Sequence, residues 1–209
     1  MAIVPVVEGQ GDSEATPVLL RRLLGDSGRW DIQVLRSKCA NGKSKLLRKF
    51  ESFLRYAVIE ADCEAILVLL DADEDCAAEL ARGLAARAEQ LRLRVPVAVV
   101  VADHEYEGWF IAALDANPAN PVRARLNLNE PAAGPDAVDK VIRNPKAWLE
   151  ERMPSDLAYK ETEDQVWLSS QIDTRLVAFR SRSFQRLQHA VTELTLAIDL
   201  GQSSVTPPP

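Results

Sequence analysis

Acidic side chains follow three of the strands that the sequence predicts, at the points where those strands end. They are Glu8 after the first strand, Asp71 and Asp73 after the third, and Glu105 and Glu107 after the fourth. In open parallel sheets, ligands bind at the carboxyl ends of the strands, and clustered carboxylates repel one another unless a cation neutralises them. Oxygen ligands without His or Cys select a hard ion such as Mg²⁺ or Mn²⁺. A metal held in this way is suited to phosphoryl transfer or phosphodiester hydrolysis.

The alternative is that each acid only caps a helix or solvates a loop, which is common for aspartate near a helix start. That alternative fits Glu8, Asp71 and Asp73 less well when the three are taken together. Glu8 opens a glycine-flanked turn, and Asp71 ends a fully apolar strand, where an uncompensated charge is unfavourable. Asp73 is two residues beyond Asp71, so in an extended chain the two side chains point the same way. We therefore expect these carboxylates to converge on one point.

The elements that position these acids alternate between strand and helix in the first half of the chain. Apolar runs predict four strands, at residues 3–7, 30–35, 65–70 and 95–102. Helical segments lie between them, and Asp12 is placed to cap the first helix. Strands without a polar face, separated by helices, indicate a parallel sheet that is covered on both sides. Residues 1–116 are therefore predicted to form an α/β domain with a four-stranded parallel sheet flanked by helices.

The second half of the chain has a different pattern. Residues 117–135 are rich in Pro, Asn and Gly and predict a loop or linker. Residues 136–200 contain several helical segments and predict a helical C-terminal extension packed on the same domain. The Ser, Thr and Pro residues of segment 201–209 predict a disordered tail.

The composition narrows the class of protein. The chain has 209 residues, of which 47% are hydrophobic and 27% charged, as in an ordinary globular domain with or without an appendage. A net charge of −6 excludes a protein that coats nucleic acid with its whole surface. Three cysteines without CxxC spacing fit a reducing compartment, and no segment has the pattern of a signal peptide or a membrane span. We expect a cytoplasmic protein with no membrane partner.

The charge is unevenly distributed along the chain. Between residues 36 and 55, seven basic residues and one acid give a local net charge of +6. This run includes Lys38, Lys43 and Lys45 around a turn that leads into a helix, and the N-terminus of a helix can bind an anion. We predict these lysines as contacts for the phosphate backbone of a nucleic acid. The alternative is an ordinary solvated helix face.

Two short motifs resemble the TOPRIM (topoisomerase–primase) catalytic domain. They are Val7-Glu8-Gly9 after the first strand and Asp71-Ala72-Asp73 after the third. The TOPRIM family pairs a glutamate with a DxD motif on a small parallel sheet and uses Mg²⁺ to make or break phosphodiester bonds. Over nearly the whole chain, the segments VVEGQGDSE, LLDADED, EYEGWFIA, YKETED and SRSFQRL resemble a bacterial family of uncharacterised TOPRIM-like proteins. That family is similar to the nuclease half of OLD-type (overcoming lysogenisation defect) proteins, and some such systems act in phage defence.

The resemblance implies roles for individual residues. The ligands of Mg²⁺ or Mn²⁺ would be Glu8, Asp71, Asp73, Glu105 and Glu107. Glu8 would also serve as a general acid or base. Lys160 would neutralise charge on the phosphate in the transition state, and Arg182 would hold a phosphate.

These observations together predict a Mg²⁺-dependent phosphodiesterase, namely a nuclease acting on DNA or RNA, with a role in phage defence implied by the resemblance. Two alternatives stay open. The chain could be a non-catalytic partner or regulatory module of an associated ATPase. It could also be a hydrolase of small nucleotides.

Overall fold

The computed structural model describes residues 1–128 and 136–205. Within these ranges, five parallel strands form one sheet. They are β1 (Ala2–Val7), β2 (Gln33–Val34), β3 (Lys38–Cys39), β4 (Cys63–Asp71) and β5 (Val97–Ala102). The order across the sheet is β2–β1–β4–β5, and β3 also pairs with β1, further along the strand than β2. The predicted parallel α/β sheet is confirmed, with five strands in place of four.

Helices cover both faces of this sheet. They are α1 (Gln10–Asp26), α2 (Lys43–Arg48), α3 (Phe50–Val58), α4 (Ala77–Gln90), α5 (Gly108–Ala112), α6 (Pro121–Leu126), α7 (Val138–Val141), α8 (Pro145–Glu150), a π-helix (Glu161–Gln165), α9 (Val166–Gln171), α10 (Thr174–Arg180) and α11 (Arg182–Leu200). Alternate residues of a strand point to opposite faces. Ile3 and Leu67 therefore pack in a core with α1, α5 and α11, whereas Val6 and Val68 pack in a second core with α2, α3 and α4.

The second predicted strand, residues 30–35, is reduced to β2 at Gln33–Val34, and β3 follows it outside the predicted range, at the same edge of the sheet. The chain leaves the ladder between β2 and β3 at Ser37, whose hydroxyl donates to the carbonyl of Ser13 over 2.9 Å. Pro17 lies four residues after Ser13 within α1 and lacks the N–H that would bond to this carbonyl. Ser37, which lies between the two strands, thus supplies the donor that the helix cannot.

The predicted helical region after residue 135 is confirmed, and its residues share one hydrophobic core with the sheet. Phe184, Leu187 and Leu194 of α11 are fully buried in that core. The Phe184 ring meets Trp109 of α5 edge-on, with the ring centroids 5.3 Å apart. The π-helix and α9 pack along α1. One face of the sheet is therefore covered by helices from both halves of the chain.

Part of the predicted loop at residues 117–135 is helical, because α6 lies within it. The side-chain oxygen of Asn120 caps this helix by accepting the backbone N–H of Val122 over 3.0 Å. Residues 129–135 of the predicted linker and residues 206–209 of the predicted tail lie outside the described residues. In the part of the chain that the structure describes, no helix combines the length and the apolar character needed to cross a membrane.

Candidate functional site

The carboxyl ends of β1, β4 and β5 meet at a cavity of about 180 Å³. Its wall carries seven carboxylates, from Glu8, Asp12, Asp71, Asp73, Glu105, Glu107 and Glu161. The other lining residues are Gly9, Gly11, Lys146 and Gln165. All five acids predicted as metal ligands therefore line one space, which has room for about six water molecules at roughly 30 Å³ each.

The position of Asp71 is set by the register of the sheet and by one backbone donor. β4 pairs with β5 up to Asp71, which lies opposite Ala102. The backbone N–H of Tyr106 donates to Asp71 Oδ1 over 3.0 Å. Burial, together with the charges of Asp12 and Glu107, raises the pKa of Asp71 well above its usual range. Asp71 is thus an anchored carboxyl group at which an added proton or a cation is favoured.

Asp73 lies on a turn that is held by His104. Both residues have left-handed backbone conformations, with φ of +50° and +60°, which side chains other than glycine adopt rarely. The N–H of Asp73 donates to the His104 carbonyl over 2.8 Å, and His104 Nδ1 lies 2.9 Å from the Asp73 carbonyl. Strained backbone persists where the surrounding structure enforces it and is concentrated at functional sites. His104 therefore fixes the backbone of the second aspartate in the DxD motif.

The start of α1 contributes Asp12, for which the sequence predicts only a capping role. Asp12 Oδ2 accepts the backbone N–H of Gly9 over 3.0 Å, and its Oδ1 accepts Nε2 of Gln165 over 2.9 Å. Gln165 ends the π-helix, an element that is frequent at functional sites. The π-helix approaches α1 so closely that a Cβ atom at Gly11 would lie 2.9 Å from Cβ of Glu161. Glycine at position 11 thus permits the contact that closes this side of the cavity.

Glu105 and Glu107 differ in their surroundings. Glu105 Oε2 accepts the backbone N–H of Lys146, in the first turn of α8, over 2.8 Å. Glu107 is only 4% exposed, and burial, with repulsion from Glu105, raises its pKa to about 7. The buried Tyr159 hydroxyl interacts with Glu107 without completing a hydrogen bond of good geometry. The Glu107 carboxyl group is therefore close to half protonated at neutral pH.

One oxygen of Glu8 lacks a partner. Its Oε2 is buried and accepts no hydrogen bond, and burial together with the charges of Asp12 and Asp73 raises the pKa of Glu8. A buried anionic oxygen without a partner is unfavourable, and a hard cation, which prefers oxygen ligands, would supply one. As the side chains stand, however, no group of three His, Cys, Asp or Glu residues within 1–128 and 136–205 could hold a metal ion together. The donor chemistry fits a divalent ion, but binding requires at least one carboxylate to turn.

Two lysines already neutralise part of this negative charge. Lys43 Nζ lies 2.9 Å from Asp73 Oδ2 and 3.0 Å from Asp75 Oδ2. Lys146 Nζ forms an ion pair with Glu161. Lys43, which the sequence predicts as a nucleic-acid contact, thus lies beside the acids. Lys146 has no sequence signal, since it reaches the cavity from α8.

None of the predicted phosphate contacts lines the cavity, but Lys43 adjoins it through the ion pair with Asp73. The others are Lys38, Lys45, Lys160 and Arg182, all of them within the described ranges. Lys38 forms an ion pair with Glu60. Lys160 is 62% exposed and its Nζ lies 3.6 Å from a carboxylate oxygen of Glu163. Arg182 is the exposed first residue of α11. The structure does not bring these four residues to the acids.

Comparison with known proteins identifies one family. A family model described as a domain of unknown function, DUF4276, matches residues 7–192. No curated protein and no solved structure matches the chain. The matched span includes every residue that lines the cavity, so the cavity lies within the part of the chain that defines the family.

Proposed function

The chain belongs to the DUF4276 family, a domain of unknown function, and from its acidic cavity we propose that it is a Mg²⁺- or Mn²⁺-dependent nuclease that cleaves phosphodiester bonds of DNA or RNA. The observation that carries this proposal is the convergence of seven carboxylates at the carboxyl edge of a parallel sheet. Such a cluster is stabilised by a divalent cation. The resemblance of the Glu8 and DxD motifs to TOPRIM domains supports the same chemistry.

The residues that would hold the metal are Glu8, Asp71 and Asp73, with Glu105 and Glu107 beside them. Bound Mg²⁺ or Mn²⁺ would polarise a phosphodiester group and activate water for attack. The Tyr106 N–H holds Asp71 Oδ1 in place, which would fix the direction of this carboxylate in the loaded site. Burial raises the pKa of Glu107 in the absence of metal, and a bound cation would lower it, so Glu107 would act beside the ion as a carboxylate.

The cavity measures about 180 Å³, which leaves room for metal ions, water and a phosphate group, and the rest of a substrate would lie outside it. Its size alone does not separate a nucleic acid from a free nucleotide, because the base and sugar of either would lie outside in the same way. Release of phosphate from free nucleotides would identify the alternative, a small-nucleotide hydrolase.

The test is cleavage of plasmid DNA, single-stranded DNA and tRNA with Mg²⁺ or Mn²⁺, compared with EDTA. We expect Asp71→Asn and Glu8→Gln to reduce cleavage by at least about a hundredfold, as for the loss of other groups that stabilise charge in a transition state. Glu163→Gln makes the matched control, because Glu163 is an exposed carboxylate outside the cavity lining, and it should cleave like the wild type. Equal behaviour of wild type and Asp71→Asn on every substrate would refute the nuclease proposal.

A second candidate is the non-catalytic module of an associated ATPase. The observation that favours it is that Asp73 is already paired with Lys43, while the described residues contain no ready-made group of three metal ligands. In this alternative, the lysine replaces the metal permanently. Calorimetric titration with Mn²⁺ distinguishes the two candidates, since a permanently replaced site binds no Mn²⁺ in an Asp73-dependent way. A cytoplasmic location and a role in phage defence stay predictions.

A further inference from the structure

We propose that Lys43 occupies a cation position of the acidic cavity in the metal-free protein and is exchanged for a divalent ion when the site is loaded. The inference rests on the metal-dependent function proposed above. It gives Lys43 an indirect role, because its contact with Asp73 would determine whether the site can hold a metal ion. It is carried by the contacts of the Lys43 ammonium group, by the orientation of Asp73, and by the turn from which Lys43 extends.

The ammonium group of Lys43 is held by two hydrogen bonds and an additional ion pair. Lys43 Nζ donates to the Ala72 carbonyl over 2.6 Å and to Asp73 Oδ2 over 2.9 Å, and it lies 3.0 Å from Asp75 Oδ2. The side chain is only 13% exposed. Lys43 is therefore a bound counter-ion of the DxD turn and not a solvated surface charge.

This pairing explains why the acids line one cavity without forming a metal site. Asp71 is anchored inward by Tyr106. Asp73 directs Oδ2 to Lys43, and its side chain is 54% exposed. Once Asp73 is released from the lysine, it can turn towards the unpartnered Oε2 of Glu8. Loading of the metal therefore requires Lys43 to leave Asp73.

The backbone allows the ammonium group to leave without unfolding of α2. The two residues before Lys43, Asn41 and Gly42, have φ of +57° and +119°. The Gly42 N–H donates to the Glu8 carbonyl over 2.9 Å, which keeps the turn beside the cavity. The flexible four-carbon stem of lysine then moves the charge by rotation about side-chain bonds alone. After exchange, Lys43 stays at the rim of the cavity, where it can contact a phosphate group.

The experiment is calorimetric titration of Mn²⁺ into the wild-type protein and the variants Lys43→Met and Lys43→Gln. Removal of the competing cation should tighten Mn²⁺ binding by roughly two- to fivefold, the range expected for the loss of one partly exposed ion pair. Lys45→Met serves as the matched control, because it removes the same charge from the same helix without changing the contacts to Asp73 and Asp75, which belong to Lys43, and its affinity should be that of the wild type. Thermal unfolding shows that each variant is folded, and Lys43→Gln retains a donor for the Ala72 carbonyl.

A second measurement follows the exchange directly. In the wild-type protein with ¹³C-labelled lysines, saturation with Mg²⁺ should shift the Lys43 ε-carbon resonance and leave that of Lys45 unchanged. If Mn²⁺ binds the Lys43 variants no more tightly than Lys45→Met, or if the Lys43 resonance does not move, the exchange is refuted while the metal site stands. If no protein in the series binds Mn²⁺, the exchange and the proposed nuclease function both fail.

Discussion

Replacement of Glu107 by glutamine removes a carboxyl group that the fold keeps 4% exposed. Burial raises the pKa of Glu107 from 4.5 to about 7, so the folded state disfavours its charge. Below pH 4.5 the carboxyl group is protonated in both states, and stability is unaffected. Between pH 4.5 and pH 7 the unfolded state binds fewer protons than the folded state, so the wild type loses stability as the pH rises through that range. By pH 8 the loss reaches about 3 kcal/mol, which follows from the difference between a pKa of 4.5 and one of about 7.

The neighbouring carboxyl groups do not obscure this effect. Burial also raises the pKa values of Glu8, Asp12 and Asp71, but these groups are present in both proteins. The charge of Glu107 contributes to the raised pKa of Asp71, so its removal lessens the pH dependence of Asp71 as well. The stability difference between variant and wild type therefore increases with pH by at least the amount due to Glu107 itself.

The assay is urea unfolding at pH 5 and pH 8 in EDTA, followed by circular dichroism. The free energy of unfolding of Glu107→Gln relative to wild type should rise by about 2.5 kcal/mol between the two pH values. Glu163→Gln replaces an exposed carboxylate and should stay within about 0.5 kcal/mol of the wild type at both. A difference between Glu107→Gln and wild type that does not change with pH would refute the assignment of Glu107 as a buried, charge-disfavoured group.

Two further predictions concern contacts that build the fold, and both are measured by urea unfolding. Gly11→Ala should lower the free energy of unfolding by more than 1 kcal/mol, because the added Cβ would clash with the π-helix. Gly83→Ala, which has open space in α4, should raise the free energy of unfolding by about 0.5–1 kcal/mol. Equal effects of the two substitutions would refute the close approach of the π-helix to Gly11. Ser37→Ala should lower the free energy of unfolding by about 1–3 kcal/mol, because it leaves the Ser13 carbonyl without a hydrogen-bond donor. This loss should be smaller in a Pro17→Ala background, where the backbone N–H of residue 17 can donate to that carbonyl. A loss of the same size in both backgrounds would contradict this account.

The parallel sheet could be predicted from the sequence because its central strands have a strong pattern of their own. Residues 65–70 contain no polar side chain, which a strand covered on both faces requires. β2 and β3 have no such pattern, since each has two residues and is defined by its pairing with β1. Ser37, which lies between them, donates to a carbonyl that lies 24 residues earlier in the chain. A contact of this kind leaves no local signal in the sequence.

The candidate site could likewise be predicted from the sequence only in part. Glu8 and Asp71 directly follow strands, so the rules of parallel sheets place them at one edge. Asp12 has the signal of a helix cap, but its bond to Gln165 joins residues 153 positions apart. The pairing of Lys43 with Asp73 depends on the direction of two side chains, which residue spacing does not determine. The basic run at residues 36–55 therefore predicted the presence of cations near the site but not what they contact.

The π-helix that closes the cavity has a consequence for the order in which the protein is made. Synthesis delivers Glu8, Asp71 and Asp73 in the first half of the chain, while Glu161 and Gln165 complete the opposite wall only much later. The same late segments also cover one face of the sheet, because Phe184 and Leu187 share its hydrophobic core. Completion of the cavity and completion of the core therefore both wait until the C-terminal half of the chain has left the ribosome.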